Sequence, residues 1–440
     1  MHHTPKPARR AGRLAILGAA SAAAVALAVA GTTPFAQAAT VTFNPLDPAL
    51  GFNSFVEDET VLASTEAEGP IATGGNLLIE GSYNVMIHTG TGAFTAPGDA
   101  QPSALVVGGR VVYTVDPATS VVQVLNSGYV KVGDLTGTDV LNTDQNNASV
   151  NTELVAAGSG YNSTPRIQLT VQQPIDSVGP SSPIDFDAAF GELRANADTL
   201  VECQANVTMR DGSGNAVAKG AVTQGQNIHV TLEAGVTNVL DVTGEDLNNM
   251  GDIVFDGPLP SADTPLLINV DTSGTGGELD WVVAPQSPVS IDQAPYMLWN
   301  FGTSTTRLRI AGGDTVEGSI LAPNADYSDV SPTNVEGQIV AKNASLGEIG
   351  ENGGEIHHAP FAAELTCETD VQPTDGPSTP GGGTTAPGDT TAPGTTGPGG
   401  GSLATTGDSL RPLIIAAGAL VAVGAAVLVA TGLRRKGARG

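Results

Sequence analysis

The ten residues Val316-Glu317-Gly318-Ser319-Ile320-Leu321-Ala322-Pro323-Asn324-Ala325 return 19 positions later as Val335-Glu336-Gly337-Gln338-Ile339-Val340-Ala341-Lys342-Asn343-Ala344, with seven of the ten letters unchanged. A spacing near twenty residues is that of one coil of a β-solenoid, not of a helical repeat. Within each copy the side chains alternate with the period of a strand. Val316, Gly318, Ile320 and Ala322 fall on one side, as do Val335, Gly337, Ile339 and Ala341, and these are predicted to be core. Glu317 and Ser319, with Glu336 and Gln338, fall on the other side and are predicted to face solvent. If the copies stack in register at the ~4.8 Å strand spacing, Ile320 lies over Ile339 and Asn324 over Asn343.

A weaker echo stands upstream, where Glu68-Gly69-Pro70-Ile71 repeats the order E-G-x-I and runs on into Thr73-Gly74-Gly75-Asn76-Leu77. That second half recurs as Val107-Gly108-Gly109-Arg110-Val111 and loosely as Val132-Gly133-Asp134-Leu135. Glycine at strand ends is what tight corners need. Most of the body therefore reads as one stack of short strands.

Both ends of the chain read as addresses. Lys6, Arg9, Arg10 and Arg13 precede an uncharged apolar run at 14–30, and Ala36-Gln37-Ala38 supplies the small residues that signal peptidase reads. Residues 1–38 are predicted to be a signal peptide of the general secretory route, cut between Ala38 and Ala39. At the other end, Leu403-Ala404-Thr405-Thr406-Gly407 precedes a stretch at 413–433 without charge, then Arg434, Arg435, Lys436 and Arg439. The apolar run is long enough to cross a bilayer, with 434–440 as a basic cytoplasmic tail. The arrangement resembles the sorting signal of Gram-positive wall-anchored proteins, with Ala404 where the commonest form has proline. The L-A-x-T-G form is similar to that used by class E sortases. The resemblance implies that a sortase attacks the Thr406 carbonyl, releases Gly407 onward and passes Thr406 to peptidoglycan, the precursor being held in the membrane until then.

Between the two addresses lie nine basic and 44 acidic residues, a net charge of −35. Such a chain will not hold nucleic acid by its phosphates. The 56 glycines and sparse aromatic residues fit a repetitive β-rich surface protein better than a compact enzyme. At 371–402 the composition collapses to Pro, Gly and Thr, so this stretch is predicted to be a disordered linker that lifts the body through the wall.

The body then spans 39–370. Phe43, Leu46, Leu50, Phe52 and Phe55 near its start are expected to cap the first coil. At 183–202, Phe186, Ala189, Phe190, Leu193, Ala197, Leu200 and Val201 recur at three and four, one face of an amphipathic helix with Asp185 or Asp187 as N-cap. The helix is expected to pack along the flank of the stack. Cys203 and Cys367 are the two cysteines of an exported chain, and one disulfide between them is predicted. His357 and His358, as strand neighbours, point to opposite sides and are read as structural rather than as ligands of one ion. No calcium-loop spacing, nucleophile elbow, HExxH or phosphate loop appears, so no catalytic, cofactor or metal site is assigned.

Four blocks in order, Met297-Leu298-Trp299-Asn300-Phe301, the two repeat copies with Gly312-Gly313-Asp314-Thr315 before them, and Gly354-Glu355-Ile356-His357-His358-Ala359-Pro360-Phe361, resemble the choice-of-anchor A domain, as does the opening with Phe43-Asn44 and Glu68 to Leu77. The resemblance implies an all-β fold, a right-handed parallel β-helix with one flanking helix, in a secreted, adhesin-like surface protein. The family motifs are architectural, so no ligand is carried over from the resemblance; an extracellular matrix protein or a glycan is the ligand class expected of such a surface. Two other functions compete: a polysaccharide-acting β-helix enzyme, which needs acids clustered in a groove on adjacent coils, and a structural coat protein without ligand. A flat, apolar or threonine-lined face favours the adhesin.

Overall fold

The computed structural model describes residues 39–92, 94–113, 119–347 and 353–369. The chain divides into two units, 1–374 and 375–440, and the described residues all belong to the first. The linker at 371–402, the sorting motif and the apolar run at 413–433 lie outside the described residues. Among the described residues, no helix is long and apolar enough to cross a membrane.

The described body is mostly β with few helices, and most of its strands run in three stacked series, with a further three-stranded parallel sheet of Gln226–Val230, Met250–Phe255 and Gln286–Ser287 beside them. The first is Asn238–Thr243, Leu266–Asp271, Met297–Asn300, the first part of Ser319–Asp329, the first part of Ile339–Leu346, then Ser54–Val56, Ile71–Thr73, Ser103–Val107 and Tyr129–Val132. The second uses the later parts of the same two long strands, flanked by Glu278–Val283 and Arg307–Gly313 on one side and by Thr60–Leu62, Leu77–Ile79 and Val111–Tyr113 on the other. The third begins with Val316–Glu317, Val335–Glu336, Ile356–His357, Glu66–Ala67, Tyr83–Val85, Val121–Val124 and Arg166–Leu169. Every pairing named so far is parallel. The third series then ends on two antiparallel strands, Ser149–Ala156 and Thr138–Thr143.

The repeat stacks as its spacing predicts at the core: Val316 pairs with Val335 and Ile320 with Ile339. Past Ala322 the register shifts, so Asn343 pairs with Asp326 and not with Asn324. Its side chain donates to Asp326 Oδ1 at 2.8 Å, while Asn324 turns to accept from Arg194 Nε at 2.6 Å and to donate to the Thr303 carbonyl at 2.7 Å. The bulge adds residues to one strand only, which a letter-for-letter alignment of two copies cannot reveal.

The side expected to face solvent is covered. Ser319, Glu336 and Gln338 are buried, Gln338 bonded by the segments around Phe52 and Phe361 and Glu336 engaged by His357. Gln338 donates to the Phe52 carbonyl at 2.9 Å and accepts from the Phe361 amide at 3.0 Å, and Ser319 Oγ accepts from the Gln338 amide. The helix is Phe186–Val201, capped by Asp185 accepting from the Ala188 amide. Phe186, Phe190, Leu193, Ala197 and Leu200 are its buried residues, while Val201 is exposed. They meet a row of outer side chains, Leu321, Val340, Phe55, Ala72 and Val106, that crosses the first series in register. Phe55 stacks on Phe190 at 5.4 Å and 10°. A parallel sheet apolar on both sides reads as the near-continuous run Ser103-Ala104-Leu105-Val106-Val107 does.

The first coil does not end the stack. Ser54–Val56 lies between Ile339–Leu346 and Ile71–Thr73, so the start of the body is stacked on its end. Leu46, Phe52 and Phe55 therefore pack with the helix rather than cap a terminus. The upstream echo falls into place: Ile71, Ser54 and Ile339 share one row. Its glycines are corner residues, for a Cβ on Gly108 would lie 2.2 Å from the Gly74 carbonyl oxygen. The two ends of the body are tied by antiparallel pairing of Ala39–Phe43 with Leu365–Thr369, and a disulfide between Cys203 and Cys367 fastens the residue just after the helix to that last strand.

Candidate functional site

The second series presents a flat face. Its inward side chains, among them Trp281, Ile310, Tyr327, Leu346, Leu62 and Ile79, are buried. Its outward ones form an unbroken row in register, Asp280, Arg309, Ser328, Ser345, Val61, Leu78 and Val112. At the strand spacing the row runs for roughly 29 Å. It grades from charged through two hydroxyls to aliphatic. A second row, Glu278, Arg307, Asp326 and Asn343, lies beside its charged half, where Arg307 bridges Glu278 at 3.0 Å and Asp280 at 2.6 Å. Between the rows is a shallow depression of about 260 Å³ lined by Ser328, Ser345 and Val61 among others. Alternation places these side chains outward, and the parallel register spaces them evenly.

The third series carries a polar ladder of a different kind. Glu317, Glu336 and His357 follow one another in register. His357 Nδ1 lies 2.6 Å from Glu336 Oε1, and its Nε2 lies 3.2 Å from Glu355 Oε2. Glu68, on the adjoining first coil, accepts from the His358 amide at 2.8 Å and contacts His88 at 2.9 Å. Hydrogen bonds that the His357 imidazolium donates to the Glu336 and Glu355 carboxylates hold it up to about 9 against some opposing burial. Burial, then the neighbouring Glu336 and Asp314 carboxylates, push Glu317 up to about 7. Asp329, buried inside the stack, is raised to about 7 by desolvation. The His358 ring is pushed down by burial.

These shifts fix a pH dependence. A carboxyl raised in the folded state stabilises the fold fully below its unfolded value, and that contribution is lost as pH climbs through the folded one; for Glu317 and Asp329 the window is about pH 4 to 7. His357 contributes below its ordinary 6.5 and loses its contribution as pH passes about 9. His358 acts in the opposite sense below 6.5. The melting temperature is therefore expected to fall by several degrees between about pH 5 and pH 9.5, with the upper part of the fall removed in His357→Gln. Differential scanning calorimetry across that range, with the buffer ionisation held constant, measures it; a flat or rising profile contradicts the assignment.

The ladder is not a cleft. Glu336 is 7% exposed and engaged with His357, and a concavity of about 450 Å³ lies elsewhere beside the disulfide, lined by Gln204, Asn206, Thr237 and Thr366 among others. His357 and His358 enter separate environments, and among the described residues no three metal-ligating side chains converge. The ladder was missed in the sequence although its spacing was there: Val316-Glu317, Val335-Glu336 and Ile356-His357 succeed one another at 19 and 21 residues. Of the residues singled out from sequence, Cys203 and Cys367 are joined. Ala39 opens the first strand. Ala36, Ala38 and Leu403, Ala404, Thr405, Thr406 and Gly407 lie outside the described residues.

A β-rich body with a regularly spaced outer face suits a surface-binding protein. Residues 45–358 match the family described as "Putative Ice-binding-like adhesive domain", and the chain belongs to that family. Two solved structures are similar to it at low identity. One is an ice-binding protein from an Antarctic biological consortium, 10% identical, with 73% of this chain and 90% of that chain covered at a TM-score of 0.26. The other is the DUF3494 domain of ice-binding protein 1 of Shewanella frigidimarina, 12% identical, with 71% and 95% covered at a TM-score of 0.26. No curated protein matches the chain.

Proposed function

We propose that this is an adhesive module displayed on the cell surface, which holds an extended or ordered partner against the flat face of the second series. The observation that carries the reading is the in-register outward row from Asp280 to Val112, seven side chains on seven stacked segments. A face of evenly spaced side chains meets a repetitive surface at many weak points without a pocket. The charged residues at one end, Glu278, Asp280, Arg307 and Asp326, suit a hydrated polymer, a glycan or a matrix protein, better than a crystal lattice. The stacked parallel series support a β-helix, and its right-handed turn is what the resemblance to choice-of-anchor A domains implies. Catalysis is not part of the proposal, because the acidic ladder is engaged in the fold rather than set in a groove.

Display rests on the two terminal signals. Signal peptidase cuts after Ala38, and a sortase of the class E type joins Thr406 to peptidoglycan, with 413–433 holding the precursor in the membrane until then. The purified chain is expected to be retained by at least one insoluble glycan or matrix protein and to release no soluble sugar from it. Release of product, or retention by none of a broad panel that includes ice, overturns the adhesive reading. Wall fragments released by muralytic digestion are expected to carry a C-terminus at Thr406 bearing a peptidoglycan piece; a chain still carrying Gly407 onward in the membrane fraction overturns the sortase step alone.

A further inference from the structure

At the far end of the first series, the outer row that the helix covers does not finish on an apolar residue. Val106 is followed in register by Lys131. The ammonium is nearly buried, its side chain 11% exposed, and it lies 2.8 Å from Oδ2 of Asp99, whose side chain is 5% exposed. The surroundings are built around this pair. Ser177 donates from Oγ to the second carboxylate oxygen, Asp99 Oδ1, at 2.8 Å, and its carbonyl accepts from Lys131 Nζ. Gln173, fully buried, donates to Ser177 Oγ at 3.0 Å and clamps the edge strand by bonding both the amide and the carbonyl of Val130, each at 2.8 Å.

We propose that Lys131 and Asp99 form an intramolecular isopeptide bond. Two charges taken out of water lose solvation that their attraction only partly returns, so a neutral product is favoured where the pair is enclosed. Holding amine and carboxyl in contact replaces a bimolecular encounter with a unimolecular step. One proton passes from Nζ to Oδ2 across their hydrogen bond, and the freed lone pair attacks Cγ. The negative charge that develops on Oδ1 faces the Ser177 hydroxyl, a donor already in place. Oδ2 then leaves as water with a second proton from Nζ. An ammonium and a carboxylate thus become an amide and one water, with no oxidant, reductant or outside proton. Asp99 sits in a turn before Ser103–Val107 and Lys131 on the last strand of the first series, so the bond fastens that turn to the edge of the stack.

Peptide mapping of the full chain tests this without any substitution. Cleavage at Lys and Arg, after reduction, is expected to yield a branched species lighter than its parts by one water. It joins the fragment ending at Arg110 to one running from Val111 to Arg166 and left uncut at Lys131. Fragmentation should place the junction on Asp99. In Lys131→Ala the Arg110 fragment is expected to appear alone. Unlinked fragments with Lys131 cleaved in the native chain, or a branched species that persists in Lys131→Ala, overturn the proposal.

Discussion

Replacing Cys203 by serine is expected to produce one of the two largest losses of stability in this protein. The bond joins residues 164 apart in sequence. Loop-closure entropy for a ring of that size amounts to about 5 kcal/mol in the chain-entropy account, and native strain or residual structure in the unfolded chain lowers it. The bond also anchors the residue just after the helix to the strand Leu365–Thr369, which holds Ala39–Phe43. Without it both terminal strands and the last turn of the helix lose their common tie. A fall in melting temperature of about 5–10 °C is expected. Cys203→Ser, Cys367→Ser and the double variant should fall equally, since each removes the same bond. Calorimetry of the three settles the point; unequal falls, or none, contradict it.

The second large effect is expected at Asn53, which holds the seam where the first coil meets the last. Its side chain is fully buried, donates to the Gly337 carbonyl at 2.6 Å and the His357 carbonyl at 3.0 Å, and accepts from the Gly69 amide at 2.8 Å. Asn53→Leu keeps the number and branching of the side-chain heavy atoms and leaves the Gly69 amide and the Gly337 carbonyl buried without this partner, at a cost of about 3–6 kcal/mol. Asn53→Asp is expected to be at least as damaging, because a carboxylate oxygen then confronts two carbonyls where an amide donated. Denaturant unfolding of both variants gives the order; an Asp variant milder than the Leu variant would overturn this role for the amide nitrogen.

What was legible in the sequence and what was not follows from the range of each interaction. The pairing of Ile320 with Ile339 was legible because adjacent coils repeat the same letters. The helix was legible because its buried face is written within 16 residues. The contact of Ser54–Val56 with Ile339–Leu346 was not, because it joins the two ends of the body with little letter identity to mark it. For the same reason Ser319 and Gln338 looked solvent-facing: alternation reports which side a residue lies on, not what covers that side. The flat face needed registers. Ser328 and Ser345 align only after the bulge past Ala322 is known, and Val61 and Leu78 join their row only across the seam. The disulfide was legible from cysteine number and export alone.

Retention of the purified chain on an adhesive surface, compared between face variants, tests the central claim most directly. Ser328→Lys and Ser345→Lys place bulk and charge in the middle of the outward row without touching the buried core, so each should fold with native stability. Gln123→Lys makes the same change on the outward side of the third series, where Gln123 pairs with Asn84 and Gln168. Retention is expected to fall at least about tenfold, the effect of losing ~1.4 kcal/mol of binding, in the two serine variants and to stay unchanged in Gln123→Lys. Full retention by both serine variants, or an equal loss in Gln123→Lys, contradicts the placement of adhesion on this face.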